Sequence, residues 1–263
     1  MHRYSYYKTA ACTLNVSIGD PQANKEEILK CIQELDSDTQ LVVFPELCVT
    51  GYTCQDLFYE HTLLNRAKQV LFEIVEELPE NLVTVLGLPL EIENKLYNCA
   101  AICFNHDILG IQVKTYIPSY NEFYETRWFS SASELKENTT FTYKDKKVPV
   151  SNHIVFKDTT TSACLGIEIC EDLWVTIPVS STHALAGANV LCNLSASNEI
   201  ISKANYRRNL VKDQSAKCYA GYVYASAGPA ESSSDLVFSG HNLICENGAI
   251  LSETKTDKII YGQ

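Results

Sequence analysis

The chain has 263 residues, 46% of them hydrophobic and 20% charged, with a formal net charge of −11. That is ordinary globular composition, long enough for one large domain with a substantial core. The acidic balance argues against nucleic-acid or anionic-membrane partners, which need a basic face, and no apolar run approaches membrane-spanning length.

Lys8 to Asn15 reads as a first strand. Asp20-Pro21 marks a helix start, and Ile28, Leu29, Ile32 and Leu35 share one helical face. Leu41-Val42-Val43-Phe44 is a buried strand that ends on Pro45-Glu46. After an irregular segment from Cys48 to Glu60, a helix runs from about His61 to Leu78. Leu64, Ala67, Leu71, Ile74 and Leu78 align on it, and Pro79 closes it. Leu82 to Leu86 is the next strand. Asn98 to Phe104 and Ile108 to Lys114 form a hairpin across Asn105-His106-Asp107. The stretch from Tyr116 to Val150, polar and aromatic without period, reads as a long loop over the active face.

A second apolar run, Cys164 to Ile169, ends on Cys170. A helix around Ser181 to Gly187, a strand from Val190 to Leu194 and a helix from about Ala204 to Tyr219 follow. The basic pair Arg207-Arg208 falls in that last helix and reads as a solvated face. Gly221 to Ser226 and Leu236 to Cys245 are strands, and a turn at Glu246-Asn247-Gly248 leads to a final strand near Ala249 to Glu253. No linker divides the chain, so residues 1–263 read as a single α/β layered domain with helices covering a buried sheet.

The eleven cysteines are scattered singly in apolar stretches, as small buried hydrophobes are. No Cys-x-x-Cys pair exists, and Cys99-Ala-Ala-Ile-Cys103 reads as strand core rather than half a metal site. No signal-peptide apolar region follows Met1-His2-Arg3-Tyr4-Ser5-Tyr6-Tyr7. The expectation is a reduced, cytoplasmic protein without a bound metal.

Three strands thus end on reactive side chains, Glu46, Lys114 and Cys170, and strand carboxyl ends in α/β folds open onto ligand sites. Each has a plain alternative: Glu46 as a solvated turn residue, Lys114 as an edge-strand lysine, Cys170 as one more core thiol. Brought together, they supply a base, a cation for an oxyanion and a nucleophile, enough to break an amide through an acyl-thioester.

Phe44-Pro45-Glu46 with Gly51-Tyr52, the Lys114 to Pro118 segment running into Tyr120, Phe123 and Glu125, and Cys170-Glu171-Asp172 together resemble the nitrilase superfamily of carbon–nitrogen hydrolases. Within it, Gly51 to Phe58, Cys170 to Trp174, Asn193 to Ser197 and Asp235 to His241 look like the glutaminase domains of glutamine-dependent NAD synthetases. The resemblance implies an α-β-β-α sandwich. It assigns Glu46 as general base, Lys114 as oxyanion stabiliser, Cys170 as nucleophile and Glu125 as a second, orienting glutamate, with the Glu171 N–H in the oxyanion hole. Tyr52, Tyr120, Glu171, Ser197 and Lys203 fall where such enzymes grip glutamine. Lys203 stands where arginine is common, so a bidentate clamp is not implied.

By the same resemblance, ammonia is released for NAD synthesis, and a homo-oligomer is expected. The glutaminase reaction needs no cofactor; ATP and magnesium belong to a synthetase domain, whose Gly-rich phosphate loop this sequence lacks. The expectation is therefore an amidotransferase domain apart from its synthetase, ending abruptly at Tyr261-Gly262-Gln263. Rival readings are a stand-alone amidase (ω-amidase or N-carbamoyl amidohydrolase), a Cys–His hydrolase using His183, and a non-enzymatic interaction module.

Overall fold

The computed structural model describes residues 6–254 and 259–262. Residues 1–5 and Gln263, on which expectations about the two ends of the chain fall, lie outside the described residues.

In chain order the elements are β1 (Thr9–Cys12), α1 (Pro21–Gln33), β2 (Leu41–Val43), α2 (His61–Glu77), β3 (Val83–Ile92), β4 (Lys95–Phe104) and β5 (Asp107–Val113). Then come β6 (Thr140–Tyr143), β7 (Lys146–Ser151), β8 (Val155–Lys157), β9 (Cys164–Ile169), α3 (Val179–Leu185) and β10 (Val190–Ser195). The last are α4 (Lys203–Cys218), β11 (Gly221–Ser226), β12 (Leu243–Glu246), β13 (Ala249–Glu253) and β14 (Ile259–Gly262).

Local chemistry sets several boundaries. The Asp20 carboxylate accepts the Ala23 N–H at 3.1 Å and starts α1 with Pro21 at its first position. The β4–β5 hairpin turns through Asn105 and His106, both at positive φ (47° and 60°), the left-handed pair that a two-residue hairpin loop needs.

Two sheets result, of strand order β14-β1-β2-β3-β4-β5-β7-β6 and β13-β12-β11-β10-β9-β8. Strand alternation sorts their side chains. Leu41 and Val43 of β2 and Ile102 of β4 meet Ile167 and Ile169 of β9 and Leu194 of β10 in an apolar seam between the sheets. On the outer face of the first sheet, Val42 and Leu86 pack with Ile28 of α1 and with Ala67, Leu71 and Ile74 of α2. On the outer face of the second, Leu191, Tyr222 and Leu243 pack with Val211 of α4. The layers run α-β-β-α, as the resemblance implied.

The structure corrects several expectations. Tyr116 to Val150 is not one loop, because it ends in the hairpin β6–β7. Phe141, Tyr143, Val148 and Val150 alternate inward, but the run is short, interrupted by lysines and broken by Pro149, which hides its period. The strand expected from Leu236 is confined to β12, since Leu236 and Phe238 pack into an aromatic cluster instead and Gly240 turns at φ +69°. β8 and β14 lie where no strand was expected. Arg207 is not solvated: it occupies the inward face of α4 with Val211, Gln214 and Ser215, and is fully buried.

Candidate active site

Glu46 follows β2, which lies between β1 and β3 and parallel to both. Its carboxylate is 1% exposed. Oε1 accepts Asn98 Nδ2 at 2.7 Å and Lys114 Nζ at 2.6 Å, while Oε2 accepts the Ala196 N–H at 2.8 Å. Asn98, a polar residue inside apolar β4, also accepts the Lys114 N–H on its carbonyl at 2.9 Å. One strand residue thus fixes the register of both charged groups.

Lys114, the first residue after β5, is fully buried. Its ammonium bonds both Glu125 oxygens at 2.9 and 2.8 Å besides Glu46. Burial alone would lower the Lys114 pKa, but the Glu125 and Glu46 carboxylates outweigh it and raise it well above the ordinary lysine value. Burial pushes Glu125 the other way, up to about 7, against the pull of Lys114. Tyr52 OH donates to Glu125 Oε1 at 2.8 Å, bracing it from the far side.

Cys170 opens a tight turn (Cys170–Leu173) at the end of β9 with φ +45°, a left-handed conformation that a cysteine rarely adopts. Asp172 supports it. One carboxylate oxygen accepts the Ile169 N–H at 3.1 Å, and the other accepts the Thr115 and Tyr116 N–H groups at 3.0 and 2.9 Å. The Cys170 turn and the segment after Lys114 are therefore clamped by a single side chain. Cys170 is 6% exposed. Burial pushes its thiol far above the usual range, Glu46 adds to that, and Lys114 opposes it. Such an environment favours the thiol over the thiolate, so a sulfur in this position would need a base to act as a nucleophile.

The residues expected to grip a substrate have four separate settings. Tyr52 is buried against Glu125 and serves the charged cluster directly. Tyr120 OH donates to both Glu171 oxygens at 3.1 and 2.9 Å; burial raises the Glu171 carboxyl. Both line a cavity of about 600 Å³ with Tyr116, Phe129 and Val175. Lys203 donates to Asn198 Oδ1 and lies 5.5 and 5.2 Å from the Phe123 and Trp174 ring centres, where burial lowers its pKa. Ser197 is buried, and its hydroxyl accepts Arg207 Nη2 at 3.3 Å. A larger cleft, about 1280 Å³, opens at the opposite ends of the strands and contains none of these groups.

His183 does not join the site. It lies on the helix side of β9, against Gly166, whereas Cys170 faces the seam, and its Nε2 meets the Asn152 carbonyl at 3.2 Å. Among the described residues, no group of three His, Cys, Asp or Glu side chains could hold a metal, and no helix is long and apolar enough to cross a membrane.

Sequence reasoning missed four contributors: Asn98, the Ala196 N–H, the clamp role of Asp172, and Gly87. A Cβ on Gly87 would lie 2.5 Å from the Leu47 nitrogen and 2.6 Å from the Pro45 carbonyl, so β3 approaches the Glu46 backbone only because this residue has no side chain. The lone polar residue within Tyr97-Asn98-Cys99-Ala100 and the Gly inside Leu86-Gly87-Leu88 were the available signals.

The carbon–nitrogen hydrolase family model matches residues 8–262. The chain belongs to this family. It is 38% identical over 257 residues to a glutamine-dependent NAD(+) synthetase of Mycobacterium bovis, covering 97% of this chain and 38% of that protein. The crystal structure of a glutamine-dependent NAD(+) synthetase from Cytophaga hutchinsonii superposes with a TM-score of 0.82 at 28% identity, over 97% of this chain and 42% of that one. A Nesterenkonia amidase of the nitrilase superfamily shares the fold, with a TM-score of 0.74 at 17% identity over 98% of this chain and 90% of that one. The chain spans less than half the length of the two synthetases.

Proposed function

We propose that this chain hydrolyses the side-chain amide of glutamine through a Cys170 thioester, as the amidotransferase part of a glutamine-dependent NAD synthetase. The observation that carries the reading is the buried Glu46–Lys114–Glu125 cluster, with the Cys170 turn clamped by Asp172 to the segment that follows Lys114. Glu46 takes the thiol proton as Sγ attacks the amide carbon. Lys114 and the Glu171 N–H stabilise the oxyanion. Glu46 then returns the proton to the leaving nitrogen, the C–N bond breaks and ammonia departs. A water molecule attacks the thioester, losing its proton to Glu46, and glutamate leaves as Cys170 regains its proton. Glu125 and Tyr52 hold Lys114 in place throughout.

Lys203 and Glu171 complement the carboxylate and ammonium of an amino acid, which favours glutamine over a neutral aliphatic amide. Ammonia would pass to a synthetase domain, whose ATP and magnesium enter no step here. Homo-oligomeric assembly in the cytoplasm accompanies this reading. The rival is a stand-alone amidase (an ω-amidase or N-carbamoyl amidohydrolase) that uses the same Glu46, Lys114 and Cys170.

Ammonia release from glutamine, asparagine, simple aliphatic amides and N-carbamoyl amines tests the choice. Saturable turnover of glutamine above all others, lost in Cys170→Ala with the fold intact, is expected. Preference for an aliphatic amide or a carbamoyl amine would move the assignment to the rival.

A further inference from the structure

Arg207 grips three consecutive residues. From the first turns of α4 its Nη2 donates to the Ser197 hydroxyl at 3.3 Å and the Asn198 carbonyl at 3.0 Å, and its Nη1 to Glu199 Oε2 at 3.1 Å. Nη1 also donates to His241 Nδ1 at 2.8 Å, which requires the imidazole to be neutral with its proton on Nε2. That proton points at Glu253 Oε1, 2.7 Å away, and Glu253 is held in turn by Arg208 Nε at 2.9 Å. Burial pulls His241 downward, which keeps this arrangement at neutral pH. A fully buried guanidinium is costly, and packing alone could be supplied by an apolar side chain.

The gripped segment leads directly to the chemistry. The N–H of Ala196, one residue before Ser197, donates to the Glu46 oxygen that Lys114 leaves free. The Asn198 side chain accepts from the Lys203 ammonium and donates to Glu122. We propose that Arg207 is a positioning residue for amide hydrolysis: it fixes the 196–199 segment, and through it both the Glu46 carboxylate and the Lys203 ammonium. The kinetic consequence rests on the glutamine reading; the effect on Cys170 does not.

The test uses Arg207→Lys, which keeps the charge and loses the fork. Folding is checked by circular dichroism and thermal melting. Cys170 alkylation by iodoacetamide is then followed across pH, alongside glutamine turnover. A folded variant is expected to lose ~10-fold or more in kcat and to show a displaced pH profile of alkylation, because a misplaced base changes when the thiol ionises. A purely structural arginine would change the melting temperature and leave that profile in place. A folded Arg207→Lys protein with kcat and alkylation profile within about twofold of the parent overturns the proposal. If this variant does not fold, His241→Leu, which removes the imidazole acceptor, decides: a displaced profile supports the proposal and an unchanged one overturns it. Wild-type protein inert toward glutamine would instead overturn the functional reading, while the alkylation comparison still judges Arg207.

Discussion

Lys114 is shared by two carboxylates, and this sets how the site responds to substitution and to pH. Glu46→Gln leaves the ammonium paired with Glu125 alone and removes the carboxylate proposed to take the thiol proton. Ammonia release should fall by about 10²–10⁴-fold, with the fold retained; a loss below tenfold would reassign the base. The pH response follows from Glu125, which burial raises to about 7. As pH falls through that value Glu125 takes a proton and its hold on Lys114 weakens, so kcat/KM should drop near neutrality rather than in the ordinary carboxylate range. Between those two ranges the folded chain holds a proton that the unfolded chain has released, so this group makes folding more favourable toward acid even as activity declines. Glu125→Gln should abolish that limb of the profile; its persistence would assign the titration elsewhere. At this scale Glu46, Lys114 and Cys170 were legible because each ends an apolar strand. Arg207 was not, since α4 has few apolar residues to mark its inward face, and only the spacing to Val211, Gln214 and Ser215 places it there.

Between elements, the close approach of β3 to the segment after β2 decides where the Glu46 carboxylate stands. Gly87→Ala would bring a methyl group within 2.6 Å of two backbone atoms flanking Glu46, so one of the two chains must move. Turnover should fall at least ~10-fold while the α-helical circular dichroism signal stays near the parent value. Parental kinetics in Gly87→Ala would show that the backbone yields without moving the carboxylate. Helices α1 and α2 and strands β1 to β5 were readable because cap, period and turn chemistry agree along that half of the chain. The β6–β7 hairpin was not, because two inward side chains per strand are too few to establish alternation. The clamp made by Asp172 was likewise hidden, since its partners at Thr115 and Tyr116 are more than fifty residues away in sequence.

For the molecule as a whole, the layered architecture was legible only through the family resemblance; strand and helix alternation alone gave an α/β fold with a buried sheet. What alternation cannot give is that there are two sheets, because the outward position of β2, Val42, and its inward positions, Leu41 and Val43, are equally apolar and their destinations depend on the partner layer. The seam between the sheets should carry much of the stability. Ile167→Ala, at a fully buried position, is expected to cost about 2–5 kcal/mol in urea unfolding; a cost below that range would mean the layers close over the deleted methyl groups. Carboxylate and sulfur are mounted on facing sheets, Glu46 beyond β2 and Cys170 beyond β9. The thickness of the apolar filling is therefore the gauge that sets their separation. Methyl groups deep in that filling act as shims, so trimming one far from any substrate resets the gap between carboxylate and thiol.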